Sequence, residues 1–134
     1  MHRLLVINPG STSTKVAVYD DEQPLFVETL RHPTEELAAF PHVLDQYDFR
    51  LQAILGFMKA KEIPLSSLSA VVGRGGLLRP IPSGTYRVND RMVEELLRRG
   101  KEREHASNLG APLAKEIAGR AGIPSFIVDP VCVD

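Results

Sequence analysis

The stretch RLLVINPGSTSTKVAVYDDEQPLFVETL, residues 3–30, contains three runs rich in apolar and β-branched residues, separated by turn residues. The runs extend from Arg3 to Asn8, from Lys15 to Tyr19 and from Leu25 to Leu30. Short apolar runs of this kind, joined by short connections, are typical of strands that pair with their neighbours in the chain. The stretch therefore predicts a three-stranded antiparallel meander at the start of the fold.

Downstream of the meander the apolar residues follow a helical period. We expect a helix to begin at Thr34, with the threonine hydroxyl as its cap. The longest helix is predicted from His42 to Lys61, because apolar residues recur there mainly at spacings of three and four. Leu68 to Val72 predicts a buried strand, parallel because it follows a helix. The remaining expected elements are a short strand at 86–88, a helix from Asn89 to Gly100, a helix at about 106–121 and a strand at 125–128.

The predicted order of elements is β, β, β, α, β, α, α, β, and the sequence contains no internal repeat. A meander that passes into α/β crossovers indicates one mixed sheet flanked by helices. This order is similar to the ribonuclease H-like arrangement found in each half of the sugar kinase and actin superfamily. The fold class that we predict is therefore α/β, ribonuclease H-like, in the actin-like ATPase form.

Composition narrows the class of protein. The chain has 134 residues, of which 43% are hydrophobic and 25% charged, and its formal net charge is −1. These values are typical of one globular domain and give no reason to expect binding to nucleic acid. The apolar run at 4–7 is too short for a signal peptide, and no stretch is long enough to span a membrane. We therefore expect a cytoplasmic protein without a membrane partner.

The first motif that can carry chemistry is NPGSTSTK, residues 8–15. Its glycine allows close backbone approach, its hydroxyls and amides can donate hydrogen bonds to phosphate oxygens, and its lysine adds positive charge. The GxxxxGK[ST] spacing is missing and a strand follows, so the motif is not a Walker A loop. The alternative interpretation is a polar hairpin turn.

The second motif is GRGG, residues 73–76, at the end of the predicted parallel strand. Ligands of open α/β sheets bind beyond the carboxyl ends of strands. A guanidinium there suits a carboxylate or a phosphate, because it donates two parallel hydrogen bonds. The alternative is an arginine that is only a solvated surface charge.

Two further motifs follow. HASNLG, residues 105–110, opens a helix whose first amides favour an anion, and its alternative role is capping and packing. DPVCVD, residues 129–134, begins with a carboxylate at a strand end that can hold hydrated magnesium or orient a nucleophile. Its alternative role is that of an ordinary turn residue.

All four motifs resemble, in this order, blocks of the acetate and butyrate kinase family. The first resembles N-x-G-S-[ST]-S-x-K, the third H-x-x-N-L and the fourth D-P-V-x-V-D-E. The run GRGGLLRPIPSGTYRVN, residues 73–89, resembles the butyrate kinase form G-R-G-G-L-x-x-P-I-x-G-G-T-Y-x-V-N, and Ser83 replaces a usual glycine. The chain is thus more similar to the butyrate kinases than to the acetate kinases.

The resemblance implies roles for individual residues. Arg74 would hold the carboxylate or its phosphorylated product, and Asn8 and Asp129 would place Mg²⁺, partly through water. The other residues that would line the substrate and phosphate site are Ser11, Ser13, Lys15, Gly75, His105 and Asn108.

The resemblance also implies an activity, the reversible transfer of the γ-phosphoryl group of ATP to a short-chain carboxylate such as butyrate or a branched analogue. Residues 1–134 would form the N-terminal domain of a two-domain kinase, without the C-terminal nucleotide-binding domain. We expect a homo-oligomer at full length and no activity from this part alone. The alternative is a nucleotide-dependent binding module, as in actin-like filaments and chaperones, which would have no need of Arg74 aimed at a small carboxylate.

Overall fold

The computed structural model describes residues 2–74, 77–78, 85–88, 93, 106–128 and 131–132. The strands are β1 (Arg3–Pro9), β2 (Ser13–Asp20), β3 (Gln23–Arg31), β4 (Ala70–Arg74), β5 (Leu77–Leu78), β6 (Thr85–Arg87), β7 (Ser125–Val128) and β8 (Val131–Cys132). The α-helices are α1 (Thr34–Leu37), α2 (Tyr47–Ala60) and α3 (Gly110–Ala121), and 3₁₀ turns occur at Val43–Gln46, Leu65–Ser67 and Ala106–Leu109.

A six-stranded mixed sheet in the order β3-β2-β1-β4-β7-β6 organises these elements. Strands β1, β2 and β3 form the predicted antiparallel meander. Strand β4 runs parallel to β1, and β7 runs parallel to β4. Strand β6 is an edge strand of the sheet and runs antiparallel to β7. The predicted meander followed by parallel crossovers is therefore confirmed.

The core lies on one face of this sheet. Along β1 the side chains of Leu5 and Ile7 are fully buried, and on β2 the paired Val18 and Val16 are buried with them. Because side chains of a strand alternate between its faces, these four residues share one face. The helix residues of the same hydrophobic cluster include Leu51, Ile54, Phe57 and Met58 of α2 and Leu113, Ala114, Ile117 and Ala118 of α3. We call this side of the sheet the helix face.

The helix starts differ from the predictions. Helix α1 begins at Thr34, but its N-cap is Pro33 and no side chain caps it, so the predicted threonine cap is wrong. The helix predicted from His42 begins with a 3₁₀ turn and becomes α-helical at Tyr47. Helix α3 is likewise preceded by a 3₁₀ turn, and it ends at Gly122 in the left-handed conformation, with φ of 68°. Within the described part of the chain, no helix has both the length and the apolar character needed to cross a bilayer.

Strands β5 and β8 were not predicted. They form a separate parallel pair in which Leu77 is opposite Val131 and Leu78 is opposite Cys132. Strands of two residues are too short to show a periodicity, so the sequence gives no sign of them. The helix predicted at 89–100 lies outside the described residues, apart from Val93.

Candidate functional site

One edge of the sheet collects the predicted motifs. Strands β1, β4 and β7 are parallel, so their carboxyl ends meet at the same edge. In register, Ile7 is opposite Gly73, which is opposite Ile127, and Arg74 is opposite Val128. The turn between β1 and β2, residues 10–12, lies at this edge too, and we describe Ser13 and Thr14, the first residues of β2, together with it. We call it the carboxyl edge.

Three of the predicted site residues share one face at the carboxyl edge. Asn8 is paired with Lys15 across β1 and β2, and both alternate with buried residues of the helix face. Arg74 follows Gly73, which is level with Ile7, so Arg74 lies on the same side as Asn8. Lys15 and Arg74 are exposed and Asn8 is half-buried. Two cations and an amide therefore stand on the face opposite to the helices, where an anion can reach them.

The turn between β1 and β2 directs its carbonyl oxygens into the protein. The Ser11 and Ser13 carbonyl oxygens accept hydrogen bonds from Arg50, at 3.3 and 2.9 Å. The Thr12 carbonyl accepts one from the His32 amide at 2.9 Å. The Ser13 carbonyl also accepts one from the Gly10 amide at 2.7 Å. With these carbonyls occupied, the turn offers hydroxyl and amide donors to solvent, which is the polarity that an anion requires.

The hydroxyls of the turn divide into two groups. Ser11 and Thr12 are exposed and Ser13 is half-buried, so all three hydroxyls can contact a ligand, and the predicted Ser11 and Ser13 remain candidates. Thr14 is fully buried, and its Oγ1 lies 3.2 Å from Arg50 Nη1 and 2.8 Å from His32 Nε2. Thr14 therefore holds the turn to the helix face and is not available to a ligand.

Arg50 of α2 is a residue that sequence reasoning missed. Its side chain is 0% exposed. Nε and Nη2 donate to Gln46 Oε1, while Nη1 and Nη2 reach the turn, so its donors all point at acceptors. Burial lowers the pKa of Arg50 to about 10, well below the ordinary value of an arginine, and this still leaves the guanidinium charged at neutral pH. The sequence does contain a sign that Arg50 is buried. Arg50 lies three residues after Tyr47 and four before Ile54, and this spacing puts it on the apolar face of α2.

His32 is a second buried polar residue behind the turn. Beside its contact with Thr14, its ring meets the Phe49 ring edge-on at a centroid distance of 5.2 Å. Burial, and secondly the positive charge of Arg50, lower the pKa of His32 below its ordinary 6.5. His32 is therefore neutral in the folded protein at neutral pH.

This environment of His32 predicts a pH dependence of stability. As the pH falls below 6.5, the unfolded chain takes up a proton at His32 before the folded chain does, so the free energy of unfolding decreases until the pH reaches the lower folded pKa. Above 6.5 the contribution is complete. An NMR titration of the His32 C2 proton, compared with urea unfolding across the same pH range, measures both quantities. A folded pKa at or above the ordinary value would contradict this account.

The start of α3 packs against the end of β4 through two glycines. A Cβ added to Gly73 would collide with the carbonyl of Gly110, and a Cβ added to Gly110 would lie 2.7 Å from the Arg74 carbonyl oxygen. Asn108 is fully buried in the preceding 3₁₀ turn, which contacts β1. The start of α3 therefore lies at the carboxyl edge. Gly75, His105 and Asp129, the other predicted site residues, lie outside the described residues.

The donor set at this edge fits one kind of magnesium site. Among the described residues no group of three or more His, Cys, Asp or Glu side chains could hold a metal ion. Magnesium that accompanies substrate phosphates needs only one or two protein ligands, since phosphate oxygens and water supply the rest. The described Asn8 amide oxygen can be one such ligand, so the described part of this edge fits an ion that arrives with the substrate phosphates.

Comparison with known proteins bears on the fold and on the family that the chain resembles. No protein-family model matches the chain. Butyrate kinase 1 from Clostridium acetobutylicum is 55% identical to the chain over all 134 residues, which cover 38% of that protein. The crystal structure of a propionate kinase from Francisella tularensis aligns with a TM-score of 0.59 at 16% identity, covering 96% of this chain and 36% of its own. The crystal structure of an acetate kinase from Porphyromonas gingivalis aligns with a TM-score of 0.59 at 14% identity. This alignment covers 96% of the present chain and 37% of the acetate kinase.

The two structures are too distant in sequence to show more than the fold, and they confirm the predicted actin-like ATPase fold class. The sequence identity to the clostridial protein extends over the whole of this chain. The match over all 134 residues, which cover 38% of that relative, supports the identification of this chain as the N-terminal part of a butyrate kinase.

Proposed function

We propose that this chain is the N-terminal domain of a two-domain kinase that transfers the γ-phosphoryl group of ATP to a short-chain aliphatic carboxylate. The products are an acyl phosphate and ADP, and the reaction is reversible. The observation that carries the proposal is the shared position of Asn8, Lys15 and Arg74 on one face of the carboxyl edge, beside a turn whose carbonyls face inward. Such a site can bring two anions together, which is what this reaction demands.

Arg74 binds the carboxylate in this proposal. It stands exposed at the end of β4, on the face that also carries Lys15. A guanidinium can donate two parallel hydrogen bonds to one carboxylate, so it fixes the orientation of the acid as well as neutralising its charge. One carboxylate oxygen is then held in place for attack on the γ-phosphorus.

The turn and Lys15 face the phosphoryl group. Ser11 and Ser13 supply hydroxyl donors, and Lys15 supplies a positive charge on the open face. Phosphoryl transfer involves little covalent chemistry by the protein and depends on positioning and on stabilising the charge of the transferred group. Donors that are fixed before the reaction give this stabilisation without reorganisation.

ATP would be the co-substrate, and its magnesium ion would be held by Asn8 together with Asp129, partly through water. The ion neutralises charge on the phosphates when it is bound. Butyrate or a branched analogue is the acid that we propose. We further propose a cytoplasmic protein that forms a homo-oligomer at full length.

A hydroxamate assay tests this function. The complete kinase that carries these residues should form acyl phosphate from ATP, Mg²⁺ and butyrate or isobutyrate, and should prefer these acids to acetate. The chain of residues 1–134 alone should form none, because it spans only 38% of its clostridial relative. Product formation by the short chain would refute the proposed division of the site between two domains. An inactive complete protein would refute the function.

A further inference from the structure

We propose that Arg50 is a positioning residue for phosphoryl transfer, which holds the turn between β1 and β2 from the helix face and places a buried positive charge behind it. The inference rests on the proposed function and deepens it. It adds to the site a residue that neither faces the substrate nor belongs to any of the four motifs.

The first support is the geometry of the contacts. Arg50 reaches the Ser11 carbonyl, the Ser13 carbonyl and the Thr14 hydroxyl, at 3.3, 2.9 and 3.2 Å. Its other donors are held by Gln46, one turn earlier on α2, at 3.1 and 2.9 Å. A planar guanidinium has five donors in a fixed fork, so this arrangement ties the turn rigidly to the helix. If these carbonyls rotated toward the bound phosphoryl group, their oxygen atoms, which carry partial negative charge, would repel the phosphoryl oxygens.

The second support is that two backbone amides of the turn remain available to a ligand. Neither the Ser11 nor the Thr12 amide has an acceptor among the described residues. Both follow Gly10, whose own amide is used within the turn. Successive free backbone amides form a cavity of positive polarity that suits an anion. Arg50 creates this polarity by holding the carbonyls of the same residues on the opposite side.

The third support is the uncompensated charge. Among the described residues the ion pairs join Arg3 to Asp20 and Arg120 to Glu116, and neither includes Arg50. Its hydrogen-bond acceptors are all neutral. The pKa of His32 is lowered mainly by burial and secondly by the charge of Arg50. In a buried site such a charge is weakly screened, so it also attracts an anion at the turn.

A purely structural role explains this arrangement poorly. Burying a charge is costly, and well-packed apolar residues usually stabilise a fold as well or better. A helix that needed only to cover Thr14 could do so with an apolar side chain and a neutral hydrogen-bonding partner. If the turn must be both fixed and electropositive, a buried guanidinium meets the two requirements at once, whereas an apolar side chain meets neither.

The kinetic test compares Arg50→Met, Arg50→Lys and the control Arg120→Met in the complete kinase. Arg120 is exposed on α3 and bonded to Glu116, away from the turn. We expect Arg50→Met to lower kcat about 100-fold, as expected for a displaced catalytic group, with little change in KM for the carboxylate. Arg50→Lys, which keeps the charge but not the fork, should recover part of the loss. Rates are normalised to the folded fraction, so a merely structural role would leave kcat unchanged and overturn the proposal.

A binding test separates this inference from the proposed function. The chain itself is titrated with inorganic phosphate while the backbone amides are followed by NMR. We expect the Ser11 and Thr12 amides to shift, and Arg50→Met to weaken this response at least tenfold while the α3 amides keep their wild-type positions. If Arg50→Met does not fold, Arg50→Lys is used instead, and because it keeps the charge but not the fork we expect it to weaken the response by a smaller factor. Failure of the complete kinase to make acyl phosphate would refute the function and leave this result standing. Unchanged phosphate shifts in both variants, or no shift in the wild type, would overturn the role of Arg50.

Discussion

We expect the replacement of Arg74 with alanine to lower kcat/KM for butyrate, the proposed substrate, by about 1,000-fold in the complete protein, the size expected when one partner of a desolvated charge pair is truncated. The loss is large because the carboxylate would keep its charge in the closed site without a partner. The kcat/KM of Arg74→Lys should lie between those of the wild type and Arg74→Ala, since lysine restores the charge but not the paired hydrogen bonds.

The Arg74 prediction is measured by initial rates of hydroxamate formation at several butyrate concentrations. Arg120→Ala is the matched control, because it removes an exposed arginine from α3 and breaks a surface ion pair with Glu116. Such pairs contribute at most about 1 kcal/mol to stability. Activity of Arg74→Ala within about threefold of the control would remove Arg74 from the carboxylate site.

Gly73→Ala should destabilise the fold by about 3 kcal/mol, the upper end of the range for overpacked sites. The added methyl group would meet the backbone of Gly110, which cannot move aside as a flexible side chain can. Gly110→Ala should have a similar effect, because its Cβ would lie 2.7 Å from the Arg74 carbonyl oxygen. Either change separates α3 from the end of β4 and displaces Arg74.

Gly56→Ala provides the internal control for these glycine substitutions. Gly56 lies within α2, with nothing within 4 Å of an added Cβ. We expect this change to stabilise the protein by about 0.5–1 kcal/mol, because alanine favours the helix over glycine. Urea unfolding of the three variants measures the differences. A free energy of unfolding for Gly73→Ala equal to that of the wild type would show that the two glycines are not closely packed.

The fold could be predicted to the extent that burial follows a simple period. The apolar residues of β1 and β2 predict buried strands, and the structure buries Leu5, Ile7, Val16 and Val18 completely. Because the residues between them, at 4, 6 and 17, are apolar too, the sequence does not mark which face meets the helices. The 3₁₀ starts at 43–46 and 106–109 could not be predicted, because over one turn an apolar pattern does not distinguish 3₁₀ from α. Thr34 was predicted to cap α1 from its side-chain type alone, whereas the chain turns at Pro33 and leaves Thr34 inside the helix.

The candidate site could be predicted motif by motif, but its geometry depends on strand register. Asn8 and Lys15 belong to one motif and Arg74 to another, and only the parallel pairing of β1 with β4 puts them on a common face. Thr14 looked equivalent to its neighbouring hydroxyls, yet alternation along β2 turns it toward α2. Arg50 was missed because an arginine within an amphipathic helix is normally solvated, and its buried partners are distant in sequence.

The central claim is that the carboxyl edge between β1 and β4 receives both the acid and the transferred phosphoryl group. A crystal structure of the complete kinase with butyrate, ADP, Mg²⁺ and a phosphoryl mimic such as aluminium fluoride tests it most directly. The account predicts the butyrate carboxylate at about 3 Å from the Arg74 guanidinium and the mimic at the same distance from the amides of Ser11 and Thr12. Butyrate or the mimic bound at any other edge or face of this sheet would contradict it.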